Sequence, residues 1–267
     1  MSYRVFALLL LLIPSGVRGA TDADRRLLDQ AAAAFQQGVH ARGTSEETKW
    51  FRKSATAFEQ LRLRGFQSPA LLRDEGNARL LANDLPGAIL AYRRGLELAP
   101  NDRGLRTRLL YARAQVAYPP GSSLGRQPIS RWPPWLPQPT PTAGWVVLFC
   151  MYGLAWILLG RWWVTHDTKL LTGAGVSMGL AVVIAVGLAW HFSQQHETMT
   201  HPLVVIAQDD VYLFKGNGPL YERRYHTPLN RGVEARQRLE RHGWLQIELA
   251  GGEIGWVPRS AVRSDAS

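Results

Sequence analysis

Two apolar runs, at 143–160 and 170–192, constrain this chain more than any other feature. The first, AGWVVLFCMYGLAWILLG, holds no charged side chain, and the second gives 23 residues interrupted only by His191. Each is long enough to cross a hydrocarbon core of roughly 30 Å with its backbone hydrogen bonds satisfied internally. Transmembrane helices are therefore predicted at 143–164 and 170–192. Seven of the ten tryptophans lie between 132 and 190, and Trp145, Trp162, Trp163 and Trp190 sit near the span ends, where an amphipathic ring fits the headgroup layer. The connection RWWVTHDTK at 161–169 allows only a tight hairpin, and its Arg161 and Lys169 favour the cytoplasmic side. A buried helical hairpin in a soluble domain is the competing reading.

Arg4, the nine apolar residues Val5 to Ile13 and the breakers Pro14 and Gly16 are too short to span and read as a secretory signal, 1–19, cut after Gly19. An uncleaved anchor is the alternative. An exported start, an internal loop and two spans put both soluble segments in the periplasm of an inner-membrane protein. The net charge of +10 does not signal nucleic acid: residues 21–118 hold 16 basic and 11 acidic side chains, and residues 201–267 hold 9 and 8. The surplus is nearly all arginine, lacks an RNA or DNA motif, and lies in the wrong compartment. The mean hydropathy of −0.13 averages two membrane spans with two polar segments. A single cysteine, Cys150, excludes an intrachain disulfide and a CxxC site.

The stretch Pro69 to Asp102 is 34 residues long, and its small, aromatic and proline residues fall at Gly76, Ala88, Tyr92 and Pro100. This resembles a tetratricopeptide repeat. Close packing of two antiparallel helices accounts for the spacing: Gly76 and Ala88 are small where the helices touch, Tyr92 fills the gap and Pro100 ends the second helix. Glu75 and Arg79 stand where an apolar pair is usual. An upstream copy places Gly38 opposite a second helix carrying Phe51, Ser54, Ala55, Phe58 and Leu61, with four extra residues near GTSEE. Residues 103–118 supply a terminal helix that can cover the last exposed face. The expectation for 21–118 is an α-helical tetratricopeptide solenoid of five helices. Resemblance to the repeat family implies that Arg73 and Asn77 line a groove for a partner segment; the alternative is a solvated Arg73 and an Asn77 bonded to a neighbouring helix.

Eight of the chain's 16 prolines fall between 119 and 141. Polyproline geometry makes 119–142 a stiff spacer that would lift the helices off the membrane, or alternatively a docking site for a small barrel. Beyond the second span, the runs LVVIA, VYLF, WLQIEL and IGWVP, with turn residues at 216–219 and Gly251–Gly252, predict a small all-β antiparallel barrel at 201–263. GWLQIELAGGEIGWVPRSAV resembles the end of a bacterial SH3 domain, in which Trp244, Gly255 and Trp256 serve a small core that aliphatic residues alone would barely fill.

No nucleophile with its base, paired carboxylates, HExxH pair or phosphate-cradling GxxxxGK[ST] is present, so the expectation is a non-enzymatic chain without metal or cofactor. The order of signal, repeats, proline spacer, two-span hairpin and SH3-like barrel resembles the BatE family, tetratricopeptide membrane proteins of the Bat aerotolerance operon. That resemblance implies a periplasm-facing scaffold acting with von Willebrand factor A-domain Bat proteins and a MoxR-type ATPase in envelope or oxidative-stress tolerance. A sensor or anchor whose barrel binds peptidoglycan is the alternative.

Overall fold

A computed structural model describes residues 21–120, 122, 124–126, 141–200 and 202–264, without the side chains of 141–142 and 190–200. The signal expected at 1–19 and the proline-rich stretch 127–140 lie outside the described residues. Seven α-helices and one small antiparallel sheet are present among them.

Five helices come first: α1 (Asp22–His40), α2 (Glu47–Leu63), α3 (Pro69–Leu81), α4 (Leu85–Leu98) and α5 (Arg103–Ala114), each packed on the next. Short polar side chains start four of them. Thr21 and Asp24 form a reciprocal capping box, and Ser68, Asp84 and Asp102 accept from the backbone N–H of Leu71, Gly87 and Leu105. A helix start with Pro69 or Pro86 near its first turn loses no hydrogen bond, because those N–H groups have no intrahelical partner. Helix α4 stops two residues before Pro100, as the spacing predicts.

Two glycines set how closely the helices approach. A Cβ on Gly76 would strike the ring of Tyr92, which is fully buried, so the α3–α4 contact is the one the sequence implies. Gly38 meets Phe51 instead, with 2.8 Å to a hypothetical Cβ, while Phe58 is buried among Leu27, Ala31, Leu61 and Ala78. The two hairpins therefore differ in register. The α1–α2 connection, 41–46, is longer than the α3–α4 connection, 82–84, and slides α2 along α1. Ser54 ties the pair by donating to the Ala31 carbonyl oxygen at 2.8 Å.

Helices α6 (Pro141–Thr165) and α7 (Thr168–Thr200) form an antiparallel hairpin turned by His166 and Asp167. Their stretches Ala143–Thr165 and Thr168–Ala189 are long and apolar enough to cross a membrane. Ala155, Ala174, Ser177, Ala181 and Leu188 are buried, whereas Val164 is 82% exposed and Phe149, Ile157 and Val183 point outward. A core hairpin of a soluble domain would bury such residues; here no described residue covers that apolar surface.

Strands β1 (Leu203–Ile206), β2 (Glu234–Arg241), β3 (Trp244–Leu249), β4 (Ile254–Pro258) and β5 (Val262–Ser264) form one antiparallel sheet in the order β4-β3-β2-β1-β5. The sheet is open: β4 and β5 are its edges. The expected run VYLF makes only isolated bridges, Val211 to Leu229 and Phe214 to both Arg223 and Trp256. Gly251 and Gly252 turn β3 into β4 as expected, and Gly255 is pressed against Leu213, 2.9 Å from a hypothetical Cβ.

Trp256 is buried in the sheet module, whereas Trp244 stays partly exposed. Leu245, Ile247 and Val257 point to the other side and are fully buried together with Leu85, Ile89, Leu105, Leu109 and Val116 of the helical array. One core thus serves both modules. Gly232, at φ 93°, fits beneath the helices only because it lacks a side chain: a Cβ would lie 2.8 Å from Val116 and 3.1 Å from Leu85. Leu124 belongs to the same core, and Gly125 abuts Val233. The described start of the proline-rich stretch therefore packs on the sheet and does not hold the helices apart from it. Gly232→Ala is expected to destabilise the protein by about 2–4 kcal/mol, through left-handed strain and overlap with Val116. Gly243→Ala, at φ 77° with open space around it, carries the strain alone. Thermal unfolding of the two detergent-purified variants should place Gly232→Ala clearly lower.

Candidate protein-interaction site and the junction behind it

Asn77 of α3 ties that helix to both α4 and α5. Its Oδ1 accepts from the Tyr92 hydroxyl at 3.0 Å and from Arg108 Nε of α5 at 3.1 Å. Asn77 therefore bonds its neighbouring helices, the alternative open from the sequence, and holds α5 beside α3. Arg73 is one-third exposed and donates through Nε to the adjoining Asp74 at 3.2 Å. Burial raises the Asp74 carboxyl above its ordinary range, against the pull of Arg73 and Arg108. Burial likewise raises the Tyr92 hydroxyl, which stays protonated and able to donate.

Large apolar side chains are exposed on α1 and α5. Leu110 and Tyr111 on α5 are 56% and 62% exposed, and Val39 on α1 is also exposed. No spacing argument singled out Leu110 or Tyr111, because a terminal helix with alternating buried and exposed leucines reads as an ordinary amphipathic one.

Behind the array lies a charged junction. Glu75, fully buried, accepts from Arg79 Nε at 2.9 Å and stands 3.5 Å from Arg62 Nε. Arg79 also pairs with Glu59 at 3.0 Å and Asp84 at 2.9 Å. Asp84 in turn receives Arg263 of β5 at 2.8 and 2.6 Å while its Oδ1 caps α4. Glu75 and Arg79 occupy the two positions where the repeat pattern expects apolar residues, so that departure was the visible signal of this network. Its role as a bridge to the sheet was not visible, since Arg263 is 179 residues from Asp84. A second bridge joins Arg113 of α5 to Glu234 of β2 through two bonds, at 2.6 and 2.9 Å, with Arg93 of α4 at 3.4 Å. Glu234 is fully buried, and a buried carboxylate is tolerable only when its partners are held in place.

The sheet's outward face carries Tyr212, Phe214, Trp244 and Trp256. Phe214 meets Trp244 edge to face at 5.4 Å, and the Arg223 guanidinium lies 3.7 Å from the Tyr212 ring centre. On this side, away from the helices, Trp256 is buried beside Phe214 and Trp244 stays partly exposed.

Burial opposes the charge on Asp84, but Arg263 and Arg79 outweigh it and hold the carboxyl below its usual range. The stabilisation is present above an unfolded pKa of about 3.9 and is lost as pH falls through the lower folded value. Asp84→Asn keeps the helix cap and removes the charge. It should cost about 1–2 kcal/mol near neutral pH, allowing for screening at half-exposed Arg263, and the deficit should shrink below about pH 4 in thermal melts.

Compared with protein-family models, with curated proteins and with solved structures, the chain matches none.

Proposed function

We propose that this chain is a non-catalytic, membrane-anchored scaffold whose α1, α3 and α5 face binds a partner protein. The observation that carries the reading is the exposure of Leu110 and Tyr111 on α5, the helix whose Arg108 bonds Asn77 of α3. Thirty-four residues after Asn77 comes Tyr111, so in a tetratricopeptide array the two hold equivalent groove positions. An exposed aromatic anchor beside ordered polar groups is the usual composition of an energetic centre in an interface. The sheet is read as a bacterial SH3-like module, and the whole as BatE-like, acting with A-domain Bat proteins and a MoxR-type ATPase.

The shared core supports the topology. Parts of the chain on either side of α6 and α7 pack into one hydrophobic interior, so both stand on one side of the membrane and the hairpin crosses and returns. A signal at 1–19 and the cations of 161–169 make that side the periplasm of the inner membrane.

A photo-crosslinking residue at Tyr111, in cells containing the operon, should yield an adduct with an A-domain membrane protein. Leu110→Ala combined with Tyr111→Ala should reduce copurification of that protein at least about tenfold while thermal stability changes by less than about 0.5 kcal/mol. No adduct together with unchanged copurification overturns the reading.

The outward aromatic face favours a second reading, peptidoglycan binding, because sugar rings stack on tryptophan. Sedimentation with purified sacculi tests it. The detergent-purified whole chain is required, since a sheet cut away from α4 and α5 would expose Val204, Leu245 and Ile247. Absence of cosedimentation, or cosedimentation unaffected by Trp244→Ala, removes it.

A further inference from the structure

We infer that the loop between Phe214 and Arg223 inserts its tip into the surface of the membrane that α6 and α7 cross. Leu220 is 98% exposed, more than any large apolar residue of the two membrane helices, where Val164 reaches 82%. Tyr221 beside it is half-exposed, and Pro219 precedes the pair.

The tip is a built turn. Phe214 bridges Arg223, Lys215 N–H donates to the Glu222 carbonyl at 3.0 Å, and Arg224 N–H donates to the Leu213 carbonyl at 2.7 Å. The Tyr221 ring folds back on Gly216, where a Cβ would stand 2.5 Å from it. With the Tyr221 ring against Gly216, Leu220 is the most exposed large apolar side chain among the described residues.

Charge points to the same occupant. Lys215, Arg223 and Arg224 surround the tip against the single carboxylate of Glu222. Arg223 rests on Tyr212, and Lys215 pairs with Glu222 at 2.7 Å, which holds both cations at the base of the turn. An apolar and aromatic tip above a cationic collar matches the bilayer interface, where leucine enters the acyl boundary, tyrosine sits at the headgroups and cations meet phosphate. A bilayer is also the apolar phase at hand. Helix α7 leaves its span at Ala189, runs to Thr200 and passes into β1 at Leu203. Those eleven helical residues rise about 16 Å, comparable with the length of one strand, so the sheet is tethered within its own dimensions of the membrane. This inference is independent of which partner the helical face takes, and rests only on the hairpin being in the bilayer.

The native Cys150, exposed on α6, provides the control for that condition. The full chain is reconstituted in phosphatidylcholine vesicles containing about one third phosphatidylglycerol. An environment-sensitive dye is placed on Cys150, or, in a Cys150→Ala background, on Leu220→Cys or on Glu46→Cys at the exposed α1–α2 turn. Headgroup spin-labelled lipid should quench the dye at 220 at least about threefold more than at 46, and aqueous iodide should quench it less. Arg223→Glu with Arg224→Glu should return the signal at 220 toward that at 46. Iodide quenching at 220 equal to that at 46, with no lipid quenching, overturns the inference. So does shielding from both quenchers, which would mean that a second copy of the chain covers Leu220. Lipid-insensitive dye on Cys150 overturns the membrane reading itself, and the inference with it.

Discussion

The single hydrophobic interior shared by α4, α5 and the sheet is the constraint on which the rest depends. A five-stranded sheet of this length has too few aliphatic residues to exclude water from both faces, and a short helical array ends in a face that needs a cover. Each solves the other's problem. Leu85, Ile89, Leu105 and Val116 close over Val204, Ile206, Leu245 and Ile247. At about 25 cal/mol per Å² of apolar surface removed from water, side chains of this size contribute on the order of 1.5–3 kcal/mol each, which outweighs the partly exposed Asp84–Arg263 pair at the rim. The pairs Asp84–Arg263 and Arg113–Glu234 act chiefly on specificity: a mispacked interface would leave Glu234 buried without a cation.

The interface joins chain segments on either side of the two helices that are long and apolar enough to cross a membrane. Those helices bury a narrow seam, mostly of small residues, and leave their remaining apolar surface exposed. The faces differ in what they present: α5 exposes Leu110 and Tyr111, the side of the sheet away from the helices carries Phe214 and the partly exposed Trp244, and the loop after Phe214 exposes Leu220.

Much of the helical half is legible residue by residue. The Gly76–Tyr92 spacing announces the α3–α4 contact, and Pro100 announces the end of α4. The Gly38 contact is not, because the length of a connection shifts helix register without altering the pattern on either helix. Strand β2, EARQRLER, escapes the reading for a different reason: most of it is exposed on both faces, so the alternation that marks a half-buried strand is absent. Of the site, Arg73 and Asn77 are legible as groove positions by resemblance. That Asn77 is held by Arg108 depends on a side chain 31 residues away, and no local periodicity reports it.

The sequence by itself determined the parts: two helices able to span, because an uncharged run of this length has one physical solution in lipid; five further helices; and the turns at Gly251 and Gly252. Only the tertiary structure decided how the parts combine. Glu75 and Arg79 look like errors in a repeat until Arg62 and Asp84 surround them, and Gly232 looks like a loop residue until α4 and α5 rest on it. The physical reason is one of range. Caps, periodicity and hydropathy act within a few residues and leave a local trace. Burial and charge pairing join residues such as Asp84 and Arg263, whose proximity exists only once the chain has folded.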